Sequence, residues 1–102
     1  MTSKPITDKA EVSIDFPEKF YHGSFGHTAR YDVTADADGV HIYLRNDGGE
    51  KRHVGFHLHY YLLADLLASA AEATAQVEGL QPLLQQKLRE AGALWQKVGA
   101  AG

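Results

Sequence analysis

Apolar and polar residues alternate along Glu11-Val12-Ser13-Ile14-Asp15-Phe16, and the alternation returns over 28–35, 40–45 and 53–59. A period of two sends successive side chains to opposite faces, so each run predicts a half-buried strand. Pro17 lacks the N–H that a ladder needs and ends the first run. Residues 17–27, PEKFYHGSFGH, mix two glycines with aromatics without a clear period. They predict an irregular connection whose Phe20, Tyr21 and Phe25 tuck against the sheet.

In the later runs Ala29, Tyr31, Val33 and Ala35 share one side, followed by Val40, Ile42 and Leu44 and then by Val54, Phe56 and Leu58. Asp36-Ala37-Asp38-Gly39 ends in an Asp-Gly pair suited to a hairpin turn with positive φ, and Asn46-Asp47-Gly48-Gly49-Glu50 makes a second turn. A one-residue slip would send every aliphatic side chain to water, so the shared face constrains register. A two-residue Asp38-Gly39 turn sets Val33 opposite Leu44 and Asp32 opposite Arg45. In the next hairpin, matching faces sets Ile42 opposite Val54, Tyr43 opposite His53 and His41 opposite Gly55. The polar face then carries Arg30, Asp32, Thr34, His41, Tyr43, Arg45, His53 and His57.

After His59 the period changes. Leu63, Leu67, Ala70, Thr74 and Val77 follow helical spacing, widened by Leu62, Leu66 and Ala73, with Gly79 as the stop. The few charges on this helix, Asp65, Glu72 and Glu78, imply that much of it is covered. Pro82 opens a second helix, where its missing N–H costs nothing. Leu84, Leu88, Ala91, Trp95 and Val98 step by four and three along a narrow seam, with Leu80 one turn earlier. Such a seam needs a partner helix, either the first helix or its own copy in a dimer. The predicted architecture is α+β: a four-stranded antiparallel β-meander with two C-terminal α-helices packed on one face, ββββαα. Residues 1–10 form a flexible N-terminal arm and 11–102 a single domain, with sheet 11–59 and helices 60–78 and 81–98.

A chain of 102 residues is long enough for one core and too short for two. Thirteen acidic against ten basic residues give a charge of −3, with no long block of either sign, which argues against bulk binding to a polyanion. The lack of cysteine removes disulfides, thiolate nucleophiles and cysteine-based metal sites. MTSKPITDKA has no apolar signal-peptide run and no segment reaches the ~18 apolar residues of a membrane span, so a cytoplasmic location and no membrane partner are expected.

The polar face carries the candidate chemistry. In the expected register His41 lies diagonal to both His53 and His57, with Gly55 leaving a slot between them. His41, His53 and His57 would make an open three-histidine site for zinc or another transition metal. The plainer reading is a solvated strand face, since no HExxH or carboxylate-bracketed pattern accompanies them. Histidines also gain charge on mild acidification, which would make this face a pH-sensitive contact. HGSFGH, residues 22–27, has histidine where a G-x-S-x-G elbow needs its first glycine, and it lacks the GK[ST] ending of a phosphate loop. It reads as a flexible crossing loop.

The same face suits single-stranded nucleic acid, with Tyr43 stacking a base while Arg30, Arg45, Lys51 and His53 track phosphates. Four strands followed by a helix, led by TARYDVTADADGVHIYLR, resemble one repeat of the PUR family of single-strand binders over residues 11–75, most closely around Arg30, Tyr31, Asp32 and Val33. The resemblance implies binding through a strongly basic sheet. Here Asp32, Asp36, Asp38 and Asp47 interrupt the positive charge, and the second helix departs from the pattern.

With no catalytic nucleophile, no paired carboxylates in a cleft and no cofactor loop, the leading expectation is a small non-enzymatic interaction or accessory module. It would regulate or stabilise a partner protein and self-associate, as a homodimer, through the helix interface of Leu84, Leu88, Ala91, Trp95 and Val98. Nucleic-acid binding and histidine-based metal binding are its alternatives, and no cofactor is expected other than such a metal.

Overall fold

Each alternating run becomes a strand in the computed structural model, which describes residues 3–46 and 52–100. In chain order the elements are β1 (Lys4–Pro5), β2 (Ala10–Phe16), β3 (Lys19–Phe25), β4 (Ala29–Ala35), β5 (Gly39–Asn46), β6 (Arg52–His59), α1 (Tyr60–Thr74) and α2 (Pro82–Ala100). A four-stranded antiparallel sheet runs in the order β1-β4-β5-β6, and β2 and β3 form a separate two-stranded antiparallel sheet. The α+β class, the antiparallel four-stranded sheet and the two C-terminal helices are as the pattern predicts; the membership of the sheet is not. The chain divides into two compact units, Met1–Leu66 and Leu67–Gly102.

The first difference lies at Pro17. Proline presets φ for the first central position of a tight turn. Pro17-Glu18 therefore join β2 to β3, from Phe16↔Lys19 back to Ala10↔Phe25, and residues 19–25 are strand rather than irregular connection. Aromatic side chains leave both faces of β3, which hides its period. Phe25 is buried, whereas Phe20 and Tyr21 stay 64% and 53% exposed, so of the three aromatics only Phe25 tucks in. The place beside β4 that β2 vacates is taken by β1, through Lys4↔Tyr31 and Pro5↔Arg30, with Ile6 N–H donating to Ala29 O at 3.1 Å. Part of the segment read as an arm is thus edge strand, where proline's missing donor is tolerated.

The second difference is register. β4 and β5 pair Val33 with Ile42 and Asp32 with Tyr43, and β5 and β6 pair His41 with His57, Ile42 with Phe56, Tyr43 with Gly55 and Arg45 with His53. Both hairpins are displaced by two residues from expectation, and an even slip leaves every side chain on its expected face. In the first hairpin the turn is centred on Ala37-Asp38, closed by Asp36 N–H donating to Gly39 O at 3.0 Å. The second turn, residues 47–50, lies outside the described residues, as does Lys51.

Buried apolar residues of the first unit are Phe25, Ala29, Val40 and Leu63. On the aliphatic face, the row Val33–Ile42–Phe56 leaves both of its outer members exposed. α1 ends at Thr74, short of the expected 78, in a tightened turn in which Gln76 and Val77 donate to Ala73 and Thr74. Gly79, at φ 80°, supplies the left-handed residue between the helices. Pro82 opens α2 as expected, with Gln85 N–H reaching Gln81 O at 3.0 Å and the Gln85 amide donating to Leu80 O at 2.9 Å. α2 buries none of its side chains. Among the described residues, no helix is long and apolar enough to cross a membrane.

Candidate functional site

The turn between β4 and β5 is built around one carboxylate. Asp36 Oδ1 accepts from the N–H groups of Asp38 and Gly39 at 2.8 and 3.0 Å, the short-range capture that makes aspartate a turn former. Tyr60, the first residue of α1, donates its hydroxyl to the Asp36 carbonyl at 2.7 Å. With Oδ1 held by two amides, Oδ2 is turned toward β5, where His41 Nε2 donates to it at 2.9 Å. The His41 bond is the largest cause holding the Asp36 carboxyl down at about 2, and the two amide bonds add to it.

Directly across from His41 stands His57, its partner in the β5–β6 ladder. Opposed residues on one face bring their Cβ atoms within ~4.5–5.5 Å, and here the imidazoles stack with centroids 3.9 Å apart and planes 9° from parallel. His59, two residues on and on the same face, tilts its ring against His57 at 4.7 Å. One donor atom from each of Asp36, His41 and His57 lies within 4.8 Å of the others. His53, the third member of the expected histidine set, is opposite Arg45 and four residues from His57, roughly 13 Å along the strand. Asp36 stands where His53 was expected. In the sequence Asp36 reads as a turn residue and as one of the acids that interrupt the positive charge; the usable signal is an aspartate opening a tight turn, five residues before a strand histidine.

Arg30, Tyr43 and Arg45, on the same face, are engaged within the chain. Arg45 Nη2 pairs with Asp32 Oδ2 at 2.9 Å, with the Asp32 side chain only 11% exposed. Arg30 donates from Nε to Ser3 Oγ at 2.7 Å and from Nη2 to Ser3 O at 2.6 Å. The Tyr43 ring lies over its partner Gly55, so closely that a Cβ there would sit 2.8 Å from Cε1. The slot expected opposite His41 therefore opens opposite Tyr43 and is filled by it. Arg30, Tyr43, Arg45 and His53 do share one face, but both arginines are tied down by neighbours in the fold.

HGSFGH is mostly strand. Ser24 pairs with Glu11 inside the β2–β3 ladder, and His22 Nδ1 lies 3.1 Å from Ser13 Oγ. The hairpin and β6 enclose a cleft of about 400 Å³ lined by Val12, Ile14, Tyr21, Phe25, His53 and Val54, among others. On α2, the seam residues Leu84, Leu88, Ala91, Trp95 and Val98 are all exposed.

No family model, curated protein or solved structure matches the chain.

Proposed function

We propose that the protein is a non-enzymatic interaction module that associates through α2, with a second copy of the chain as the first occupant and a partner protein held by the assembled pair. One observation carries this reading: a nineteen-residue helix with a continuous apolar seam buries none of its side chains. The four-three spacing of Leu84, Leu88, Ala91, Trp95 and Val98 is that of helices packing knobs into holes, and it is complementary to itself. A mixed helix of this kind gains stability chiefly by covering its apolar stripe. Val33 and Phe56, the exposed outer members of the Val33–Ile42–Phe56 row, offer a second apolar surface for a partner protein. Nucleic acid is less favoured as a partner, because Arg30 and Arg45 already spend donors on Ser3 and Asp32.

Light scattering on the full chain tests the proposal. A dimer mass that Leu88→Glu converts to monomer supports it. A monomer at every concentration, or tight binding of short oligonucleotides that weakens steeply with salt, overturns it.

A further inference from the structure

We infer that Asp36, His41 and His57 form a binding site for a zinc-type divalent transition-metal ion, one that ties the β4–β5 turn to strand β6. The donors come from the β4–β5 turn and from the neighbouring strands β5 and β6, and meet because the ladder sets His41 opposite His57 while the turn aims Asp36 back at His41. Two imidazole nitrogens and one carboxylate oxygen are a ligand set for Zn²⁺ or Co²⁺ rather than for the oxygen-seeking Ca²⁺ or Mg²⁺.

Geometry supports the assignment. Ligand atoms 2.0–2.1 Å from a tetrahedral ion are about 3.3 Å from one another. The three donors already lie within 4.8 Å, on side chains of which Asp36 and His57 are exposed. Closing the remaining gap requires the His57 ring to rotate out of its stack on His41, because parallel rings aim their in-plane lone pairs side by side rather than at one point. Asp36 is pre-aimed: its Oδ1 is anchored by the Asp38 and Gly39 amides, leaving Oδ2 as a single ligand atom, and Tyr60 steadies the turn from behind. Support of this outer kind orients first ligands in known metal sites. His41 would bind through Nε2 as the neutral tautomer with its hydrogen on Nδ1, so a proton now shared with Asp36 moves to Nδ1 or leaves to solvent. Three protein ligands leave a fourth position open to water.

The test uses the full chain, without a histidine tag and stripped by chelator, titrated with Zn²⁺ by calorimetry and with Co²⁺ by visible absorption. One ion per chain is expected. Asp36→Asn, which keeps the Oδ1 acceptor of the turn, and His57→Ala should each weaken binding at least about tenfold. His53→Ala and His22→Ala should leave it unchanged. Circular dichroism checks that each variant is folded, and His41 and His57 ring resonances of the wild type should both shift with Zn²⁺. Affinity weaker than about 1 mM, binding unaffected by His57→Ala, or loss in His53→Ala equal to that in His57→Ala overturns the site. The readout is independent of whether the chain dimerises.

Discussion

Gly39 and Gly55 both sit in strands, yet a methyl group would meet different obstacles at each. At Gly39 the added carbon would overlap the Leu58 carbonyl oxygen and lie 2.8 Å from His59 Cα, so the β6 backbone itself blocks it. At Gly55 the obstacle is the Tyr43 ring, half-exposed and able to swing into water. Gly39→Ala should therefore cost about 1–3 kcal/mol, the range for overpacking a rigid site. Gly55→Ala should stay within about 1 kcal/mol of wild type, because alanine also costs less backbone entropy than glycine in a strand. Equal urea midpoints for the two variants would contradict this account. Asp36 offers a test by titration. Its carboxyl sits at about 2 in the fold against an ordinary 3.8, so the ionised form is favoured by folding. The stabilisation this brings is present above 3.8 and is lost as pH falls toward 2. In metal-free protein, NMR should place the Asp36 midpoint near 2, and His41→Ala, which removes the largest cause, should move it up toward 3.8.

Hairpins and helices were legible to different depths. The faces of β4, β5 and β6 could be read because period two survives any even slip, and both hairpins slipped by two. Register could not be read at the first turn: Asp38-Gly39 resembles a positive-φ pair, but Asp36 uses its own carboxylate to centre the turn on Ala37-Asp38. Gly39 has no positive φ; it is small because Leu58 passes close by, which only the tertiary structure reveals. For the same reason the sequence set His53 beside His41 and His57, whereas the two-residue shift puts His57 directly across from His41 and leaves His53 opposite Arg45. β3 was missed because aromatic residues leave both of its faces. α2 was legible because Pro82 and the seam spacing are local signals. Within α2, a methyl group added at Gly92 would meet open space, with no atom of a described residue outside the helix's own backbone within 4 Å. Gly92→Ala should thus raise helix stability by about 0.5–1 kcal/mol, read as increased helicity in far-UV circular dichroism and a higher melting temperature. A decrease would mean that another chain approaches the helix backbone closely at that position.

For the protein as a unit, the proposed association through α2 would decide how much apolar surface is finally covered. Leu88 is 48% exposed, so about half of the ~1.5–3 kcal/mol that full burial of a leucine brings is still to be gained, and it is gained once per copy in a symmetric pair. Leu88→Glu forfeits that gain twice and places carboxylates in the seam, so the dimer constant should weaken by about a hundredfold or more. Leu83→Glu is the control: Leu83 is 80% exposed and lies off the seam, so its mass in light scattering should match wild type. Association also couples melting to protein concentration, because a dimer that forms only from folded chains is stabilised by mass action. The wild-type melting temperature should rise with concentration, and that of Leu88→Glu should not. If Leu88→Glu instead lowers the melting temperature equally at all concentrations with no change in mass, the seam is covered within a single chain, and α2 completes the protein's own core rather than joining two copies.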